Sequence, residues 1–176
     1  LFLSITLRRA APPDYNLEPE VTVILPLYNE GSSIYTTLMS LAAMDYPKDK
    51  FKVLVVDDCS TDDSFSWVQK AMGESPLIRA IRCPTNMGKR LAISRAVQTT
   101  TSEFIVSVDS DVVVRPDAIR HLLAGFTAPN IAAVGGRVHV YNANFKRKKK
   151  MQTIKYFIGY QYLKNLENSF LSVMCL

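Results

Sequence analysis

Short apolar runs alternate with amphipathic stretches along most of the chain. The runs are rich in β-branched residues, which favours strands, whereas the amphipathic stretches repeat their apolar residues every three to four positions, which favours helices. In chain order, the pattern predicts the strand Val21–Pro26, the helix Ser33–Met44, the strand Phe51–Val56, the helix Ser64–Met72, the strand Leu77–Arg82, the helix Lys89–Gln98, the strand Phe104–Val108, the helix Pro116–Phe126 and the strand Ile131–Val140. Strands that alternate with helices predict βαβ units, and therefore an α/β fold with a mostly parallel sheet flanked by helices.

The two ends of the chain differ from this middle part. Leu1–Leu7 is apolar and is followed by Arg8 and Arg9, an order that matches the positive-inside pattern of membrane proteins. We therefore expect residues 1–20 to hold the end of a membrane segment and a Pro-rich linker, although an ordinary apolar start also fits. Residues 146–176 combine a basic run with an amphipathic helical pattern. That pattern suits a core-facing helix and a membrane surface about equally.

The net charge of +5 is a local feature of the chain, because the run Lys146-Arg147-Lys148-Lys149-Lys150 accounts for it. A single basic run is not the broad basic face of a nucleic-acid protein, so we expect no nucleic-acid partner. The three cysteines have no metal-type spacing and fit a reducing compartment better than a disulfide framework. The glycines form neither a dinucleotide-binding motif nor a Walker loop.

Two acidic clusters come directly after predicted strands. Asp57-Asp58 follows the second strand and Asp109-Ser110-Asp111 follows the fourth, so a parallel sheet brings both clusters to one edge. In extended backbone, Asp109 and Asp111 point the same way and Ser110 points to the other side. Two such carboxylates suit Mg²⁺ or Mn²⁺, which takes its remaining oxygens from water and a diphosphate. An isolated Asp-x-Asp is more often a turn or a helix cap, but the second cluster favours a site.

Two further residues extend this hypothesis. Lys89 follows a glycine and opens a predicted helix, where its ammonium and free backbone N–H groups suit a phosphate. Asp58 suits a nucleoside hydroxyl or base as an acceptor, and it suits an Asx-turn or helix cap equally. Together these residues predict a site for a metal-bound, phosphate-bearing sugar donor.

Four loop motifs, in this order, resemble those of family 2 glycosyltransferases with a GT-A fold. They are Leu25–Glu30, Val56–Asp62, Asn86–Arg90 and Val108–Asp111. The resemblance implies a GT-A donor-binding domain over residues 21–145 and an inverting transfer from a UDP-sugar, UDP-GlcNAc-like, to a growing β-linked polysaccharide. Gly135-Gly136 and the closing Ser172–Cys175 resemble the processive branch that contains hyaluronan and chitin synthases, which implies an integral membrane protein acting at the cytoplasmic face of the cell membrane.

The same resemblance implies roles for individual residues. The implied donor-binding residues are Pro26, Tyr28, Glu30, Asp58, Lys89, Arg90, Asp109 and Ser110. The implied ligands of Mg²⁺ or Mn²⁺ are Asp111 and Asp109. Cys175 falls at the acceptor side.

The sequence also departs from the family pattern. The family's general base lies in a later Glu-Asp or Gly-Asp-Asp motif, followed by Gln-x-x-Arg-Trp, and neither is present here. We therefore expect the base beyond residue 176, and donor binding without transfer by this polypeptide. Two alternatives stay open: a non-catalytic sugar-nucleotide binding domain, and a receiver-like signalling domain. The receiver is the weaker one, because its acidic pair follows the first strand and this pair follows the second.

Overall fold

The computed structural model describes residues 14–128 and 131–136. The elements, in chain order, are β1 (Val21–Leu27), α1 (Ser33–Ala42), β2 (Phe51–Asp57), α2 (Ser64–Glu74), β3 (Ile78–Arg82), α3 (Lys89–Thr99), β4 (Phe104–Ser107) and α4 (Ala118–Leu123). The predicted alternation of strands and helices is confirmed, and the ends of every element except α4 lie within two residues of the predicted ones.

The four strands form one parallel sheet in the order β3-β2-β1-β4. In this register Val23 of β1 lies between Val53 of β2 and Val106 of β4. The chain therefore steps outward in one direction from β1 to β3 and then returns to the other side of β1. Ligands of open α/β sheets bind where the strand order reverses in this way, beyond the carboxyl ends of the strands. The reversal here lies between β1 and β4.

Helices cover both faces of the sheet. On one face, alternate residues of β1 and β2 pack with α1, α2 and α4 in the larger apolar core, which includes Val23, Val53 and Leu38. On the other face, Ile24 and Val56 pack against Ala92 and Ala96 of α3. Because consecutive strand residues face opposite sides, near-continuous apolar strands supply both cores. The sheet edge that carries the loops is thus held between two packed layers.

The C-terminal part of the predicted pattern needs two corrections. The helix α4 is shorter than predicted, since Gly125 and Phe126 close its end in turns. A Cβ on Gly125 would lie 2.7 Å from Val134, so this close approach requires glycine. The predicted strand Ile131–Val140 is wrong over residues 131–136, which have no regular secondary structure; Ile131 donates its N–H to Ala128 in a turn instead of to a neighbouring strand.

The chain divides into two compact units, Leu1–Val134 and Gly135–Leu176. Several predictions lie outside the described residues: the membrane segment at the N-terminus, the basic run and amphipathic helix of residues 146–176, and Cys175. The division into 1–20, 21–145 and 146–176 stays a prediction. Across residues 14–128 and 131–136, no helix has both the length and the apolar character needed to cross a bilayer.

Candidate functional site

A cavity of about 300 Å³ opens at the carboxyl ends of the strands, where the strand order reverses. Its lining consists of Pro26, Leu27, Tyr28, Glu30, Asp58, Lys89, Asp109, Ser110 and Asp111. Four loops that are far apart in sequence therefore converge on one space. Of the residues predicted to bind donor or metal, only Arg90 is not part of the lining; it lies exposed in the first turn of α3. The individual roles stay predictions.

Pro26 contributes to the opening of this cavity. The N–H of Phe104 donates to Glu20 and that of Val108 to Ile24, so even-numbered residues of β1 face β4. The next donor in this series would belong to Pro26, and proline has no N–H. The hydrogen-bond ladder between β1 and β4 therefore stops after Val108, and the segments that follow the two strands are free to separate there.

The acidic turn, Asp109-Ser110-Asp111, is a tight turn and not extended backbone as predicted. β4 ends at Ser107, and Val112 donates its N–H back to Asp109. The extended backbone on which the expected orientation of Ser110 rested is therefore wrong, and all three residues line the cavity. The turn also buries Ser110, while Asp109 and Asp111 remain exposed.

Lys89 and Asp109 form an ion pair across the cavity. The Lys89 Nζ lies 2.7 Å from the Asp109 Oδ1, and the two side chains are 60% and 56% exposed. Pairs this exposed stabilise a fold by about 0–1 kcal/mol. The pair is therefore weak enough for a ligand to replace either partner. The Lys89 ammonium can then bind an anion and the Asp109 carboxylate a cation.

Asp58 holds the loop that carries Lys89. Its Oδ1 accepts the N–H of Met87 at 2.8 Å and its Oδ2 accepts the N–H of Gly88 at 2.7 Å. Gly88 has φ +86°, a conformation that favours glycine, and it precedes the first residue of α3. The buried Asp58 carboxylate thus orients the start of α3. Each oxygen keeps a second lone pair, and Asp58 is part of the cavity lining.

The neighbouring Asp57 is fully buried and serves the fold. Its Oδ1 accepts the N–H of Ser60 at 3.0 Å, and the Arg82 Nε lies 3.0 Å from its Oδ2 without an aligned hydrogen bond. Arg82 also donates to the Ser60 carbonyl and lies over the Phe65 ring. Arg82 is the counter-charge that the buried carboxylate requires. Sequence reasoning did not identify this partner.

The loop after β1 is fixed by side chains of the loop after β2. Asn29 donates its N–H to the Ser60 Oγ at 3.1 Å, and both Glu30 and Gly31 donate theirs to the Ser64 Oγ. Asn29 and Gly31 have φ of +52° and +56°, which asparagine and glycine tolerate best. These contacts hold the exposed Tyr28 at the cavity rim.

Asp62 completes this attachment. Its carboxylate accepts the N–H groups of Gly31 and Ser64, each at 3.0 Å. Hydrogen bonding from Ser64, led by its hydroxyl, holds the pKa of the Asp62 carboxyl below its ordinary value of 3.8. The ionised form is therefore the one that joins the two loops.

Thr37 and Ser40 of α1 reach the segment that contains the acidic turn, and sequence reasoning missed both. The Thr37 Oγ1 donates to the Ser110 carbonyl at 2.9 Å, and the Ser40 Oγ accepts the N–H of Val114 at 3.1 Å. The available signal was a polar residue on an apolar helix face, because Thr37 lies between Ile34 and Leu38 on the buried side.

The fit of a divalent cation depends on Asp109 and Asp111. Both are exposed oxygen donors on one cavity, which is the chemistry that Mg²⁺ and Mn²⁺ prefer. Within residues 14–128 and 131–136 there is no group of three or more acidic, His or Cys side chains arranged for a metal. The donor set therefore fits a cation that takes its other ligands from a diphosphate and water, rather than a cation enclosed by protein.

The strand order also decides against the receiver alternative. Receiver domains have the order 2-1-3-4-5, in which the first strand lies between the second and the third. Here β1 lies between β2 and β4, with β3 beyond β2. The acidic residues of this chain thus belong to a different sheet.

Sequence comparison identifies relatives of known type. A model of glycosyl transferase family 2 matches residues 22–175. An N-acetylglucosaminyltransferase of Azorhizobium caulinodans is 31% identical over 90% of this chain and 40% of its own length. An N-acetylglucosaminyltransferase of Bradyrhizobium elkanii is 33% identical over 72% of this chain and 70% of its own. The chain spans about two fifths of the length of the first of these relatives.

Solved structures give the same result for the fold. The mannosyltransferase PcManGT from Pyrobaculum calidifontis, in complex with GDP-Man and Mn²⁺, matches with a TM-score of 0.65 and 32% identity over 69% of this chain and 36% of its own. S. aureus TarS in complex with UDP-GlcNAc matches with a TM-score of 0.54 and 34% identity over 61% of this chain and 31% of its own. The predicted GT-A architecture is confirmed.

Proposed function

This chain belongs to glycosyl transferase family 2, and on that basis we propose that its cavity binds a UDP-sugar, with UDP-GlcNAc as the donor. The observation that carries the proposal is the convergence of four loops on one cavity at the reversal of strand order. The identity of the sugar is supported by the N-acetylglucosaminyltransferases among the relatives and by the UDP-GlcNAc complex of TarS.

Residues of the cavity match the nucleoside and the diphosphate of the donor. Tyr28 is 47% exposed at the rim, so its ring face is open to the uracil ring. Asp58 has lone pairs for a donor group of the nucleoside, and Lys89 supplies a positive charge for the diphosphate. Asp109 and Asp111 would hold Mg²⁺ or Mn²⁺. When bound, such a cation neutralises charge on the departing UDP.

The transfer itself needs a catalytic base in addition to a bound donor. An inverting displacement requires a base at the acceptor hydroxyl. No stretch of the sequence matches the family's base motif. We therefore propose that the 176-residue polypeptide binds donor without transferring it, and that the longer protein transfers the sugar to a β-linked polysaccharide as a member of the processive branch. Polymer synthesis by the purified chain would contradict this.

We also propose that the protein acts at the cytoplasmic face of the cell membrane. The support is the apolar Leu1–Leu7 followed by Arg8 and Arg9, and the basic run followed by aromatic residues at the other end. Alkaline extraction of membranes from cells that produce the full-length protein tests this. Release of the protein into the soluble fraction would refute it.

Titration calorimetry with UDP-GlcNAc, with and without MnCl₂, tests the donor proposal. We expect a dissociation constant between roughly 1 μM and 1 mM, in the range of enzyme substrates, and tighter binding with Mn²⁺ than without it. Asp111→Asn should remove the Mn²⁺ effect, whereas the matched variant Asp49→Asn, at an exposed position away from the cavity, should keep it. GDP-mannose is titrated as the alternative donor, and we expect it to bind more weakly than UDP-GlcNAc. Failure of the wild-type chain to bind UDP or UDP-GlcNAc under either condition would refute the proposal.

A further inference from the structure

The buried face of α1 carries one hydroxyl where the pattern calls for an apolar side chain. This face consists of Ile34, Thr37, Leu38 and Leu41. Thr37 is 1% exposed. A threonine in a helix commonly returns its hydroxyl to the carbonyl one turn earlier. The Thr37 Oγ1 instead donates to the carbonyl of Ser110, 73 residues away. A buried hydroxyl requires a partner, and this partner is the acidic turn.

Ser40, on the next turn of α1, holds the other end of the same segment. Its Oγ accepts the N–H of Val114 and donates to the carbonyl of Thr37 at 2.7 Å. The sheet gives this segment no ladder, because pairing between β1 and β4 ends at Val108. The backbone from Ser110 to Val114 is therefore fixed by two hydroxyls of one helix.

The position of Ser110 decides where two charged groups stand. Asp109 and Asp111 are its chain neighbours, and both are exposed, so packing does not orient their carboxylates. Asp109 is paired with Lys89, and the place of both carboxylates follows the backbone of the turn. The hydroxyl of Ser110 contributes to that backbone position through its 3.1 Å contact with the Glu30 Oε1. A shift of the Ser110 carbonyl would thus move both carboxylates together.

We propose that Thr37 and Ser40 are positioning residues of the donor site, which hold the acidic turn so that Asp109 and Asp111 face one cation. This inference rests on the proposed function, because it assigns the two hydroxyls to the binding of a metal and a nucleoside diphosphate. Neither residue contacts the cavity. Both act through the backbone of the turn.

The test compares Thr37→Val, Thr37→Ser and Ser40→Ala with Thr36→Val, a control at the exposed neighbouring position. UDP binding is titrated with and without MnCl₂, and hydrogen exchange is measured for the peptide 109–114. We expect Thr37→Val to weaken Mn²⁺-dependent UDP binding at least about fivefold, as loss of one hydrogen bond to a buried carbonyl implies. In Thr37→Val, UDP binding without metal should change little and hydrogen exchange in the peptide should rise. Thr37→Ser should restore wild-type metal-dependent binding and wild-type exchange.

Ser40→Ala should weaken metal-dependent binding in the same direction, and it decides the matter if Thr37→Val does not fold. The inference is overturned if Thr37→Val binds UDP with wild-type affinity in the presence of Mn²⁺, even if its melting or exchange changes, since the hydroxyls would then serve stability only. Where Thr37→Val does not fold, the same criterion applies to Ser40→Ala. Failure of Thr37→Ser to rescue would overturn it as well. An absence of UDP binding by the wild type is a separate result: it refutes the proposed function, and the inference falls with it.

Discussion

Replacing Asp58 with asparagine should loosen the loop that carries Lys89. The carboxylate accepts the N–H of Met87 at 2.8 Å and that of Gly88 at 2.7 Å, one on each oxygen. Asparagine keeps one oxygen and places an NH₂ group where the other was. One backbone N–H then loses its acceptor and faces a second donor. Because Asp58 is 3% exposed, little water reaches its side chain to compensate.

The size of the effect follows from the charge and the burial of Asp58. A hydrogen bond to a charged acceptor contributes roughly 1.5–3 kcal/mol, and removing a buried charge offsets part of the loss, so we expect a cost of about 2 kcal/mol. For a domain of this size, that corresponds to a melting temperature lower by roughly 4–8 °C. Hydrogen exchange should rise in the peptide 85–92, and UDP should bind more weakly because Lys89 is no longer held in place.

Calorimetric melting at pH 7 measures the effect, with Asp49→Asn as the control that removes the same charge at an exposed position. If Asp58→Asn melts as high as Asp49→Asn, the two backbone contacts do not hold the loop and the reasoning is wrong. If melting falls but exchange in the loop stays at the wild-type level, the carboxylate supports the core rather than the loop.

Lys89→Met should weaken binding of UDP but strengthen binding of Mn²⁺ alone, because it removes a positive charge 2.7 Å from the Asp109 carboxylate. Changes of equal size and sign in both titrations would contradict the idea that ligands replace the Lys89–Asp109 ion pair. Arg82→Met should lower the free energy of unfolding by about 2 kcal/mol in urea titrations. A fully buried pair would lose more, but the Arg82 side chain is 51% exposed while Asp57 is fully buried. The control is Arg79→Met at an exposed position, and equal stability of the two variants would count against the pair. Since the folded-state pKa of Asp62 is lowered from 3.8, its contribution to stability is present above that pH and is lost as the pH falls below it. The melting temperature, followed from about pH 6 to acid, should therefore fall less steeply in Asp62→Asn than in the wild type. Parallel curves for the two proteins would disprove this role.

Much of the fold follows from local pattern alone. Apolar period and β-branched composition predicted the strands and helices up to α4, because each element buries a face that the sequence shows directly. The strand Ile131–Val140 failed over residues 131–136, although its composition is equally apolar. A strand exists through its partner, and the sequence does not show whether a neighbouring strand is within reach. Periodicity is thus more informative for helices than for single strands.

The candidate site was predictable as a place and less so as a set of contacts. Parallel strands bring their carboxyl ends to one edge, so residues from four loops were expected to meet there, and they do. The charged partner of Asp57 and the N–H partners of Asp58, in contrast, lie 25 to 30 residues away and depend on how loops fold over the edge. The turn at Asp109–Asp111 likewise depends on hydroxyls of α1, which no pattern around the acidic residues reveals.

The two acidic clusters that follow β2 and β4, Asp57-Asp58 and Asp109 with Asp111, differ in burial, and burial decides which carboxylates are free for a ligand. A buried carboxylate needs partners from the protein itself, and Asp57 and Asp58 have them in Arg82 and in the N–H groups of the loop before α3. Asp109 and Asp111 are exposed. The charged partner Lys89, beside Asp109, forms an exposed pair that a cation can replace at little cost. The adjacent Asp57-Asp58 pair, the more conspicuous in the sequence, therefore builds the edge. The separated pair, Asp109 and Asp111, is the one whose charge suits the proposed cation.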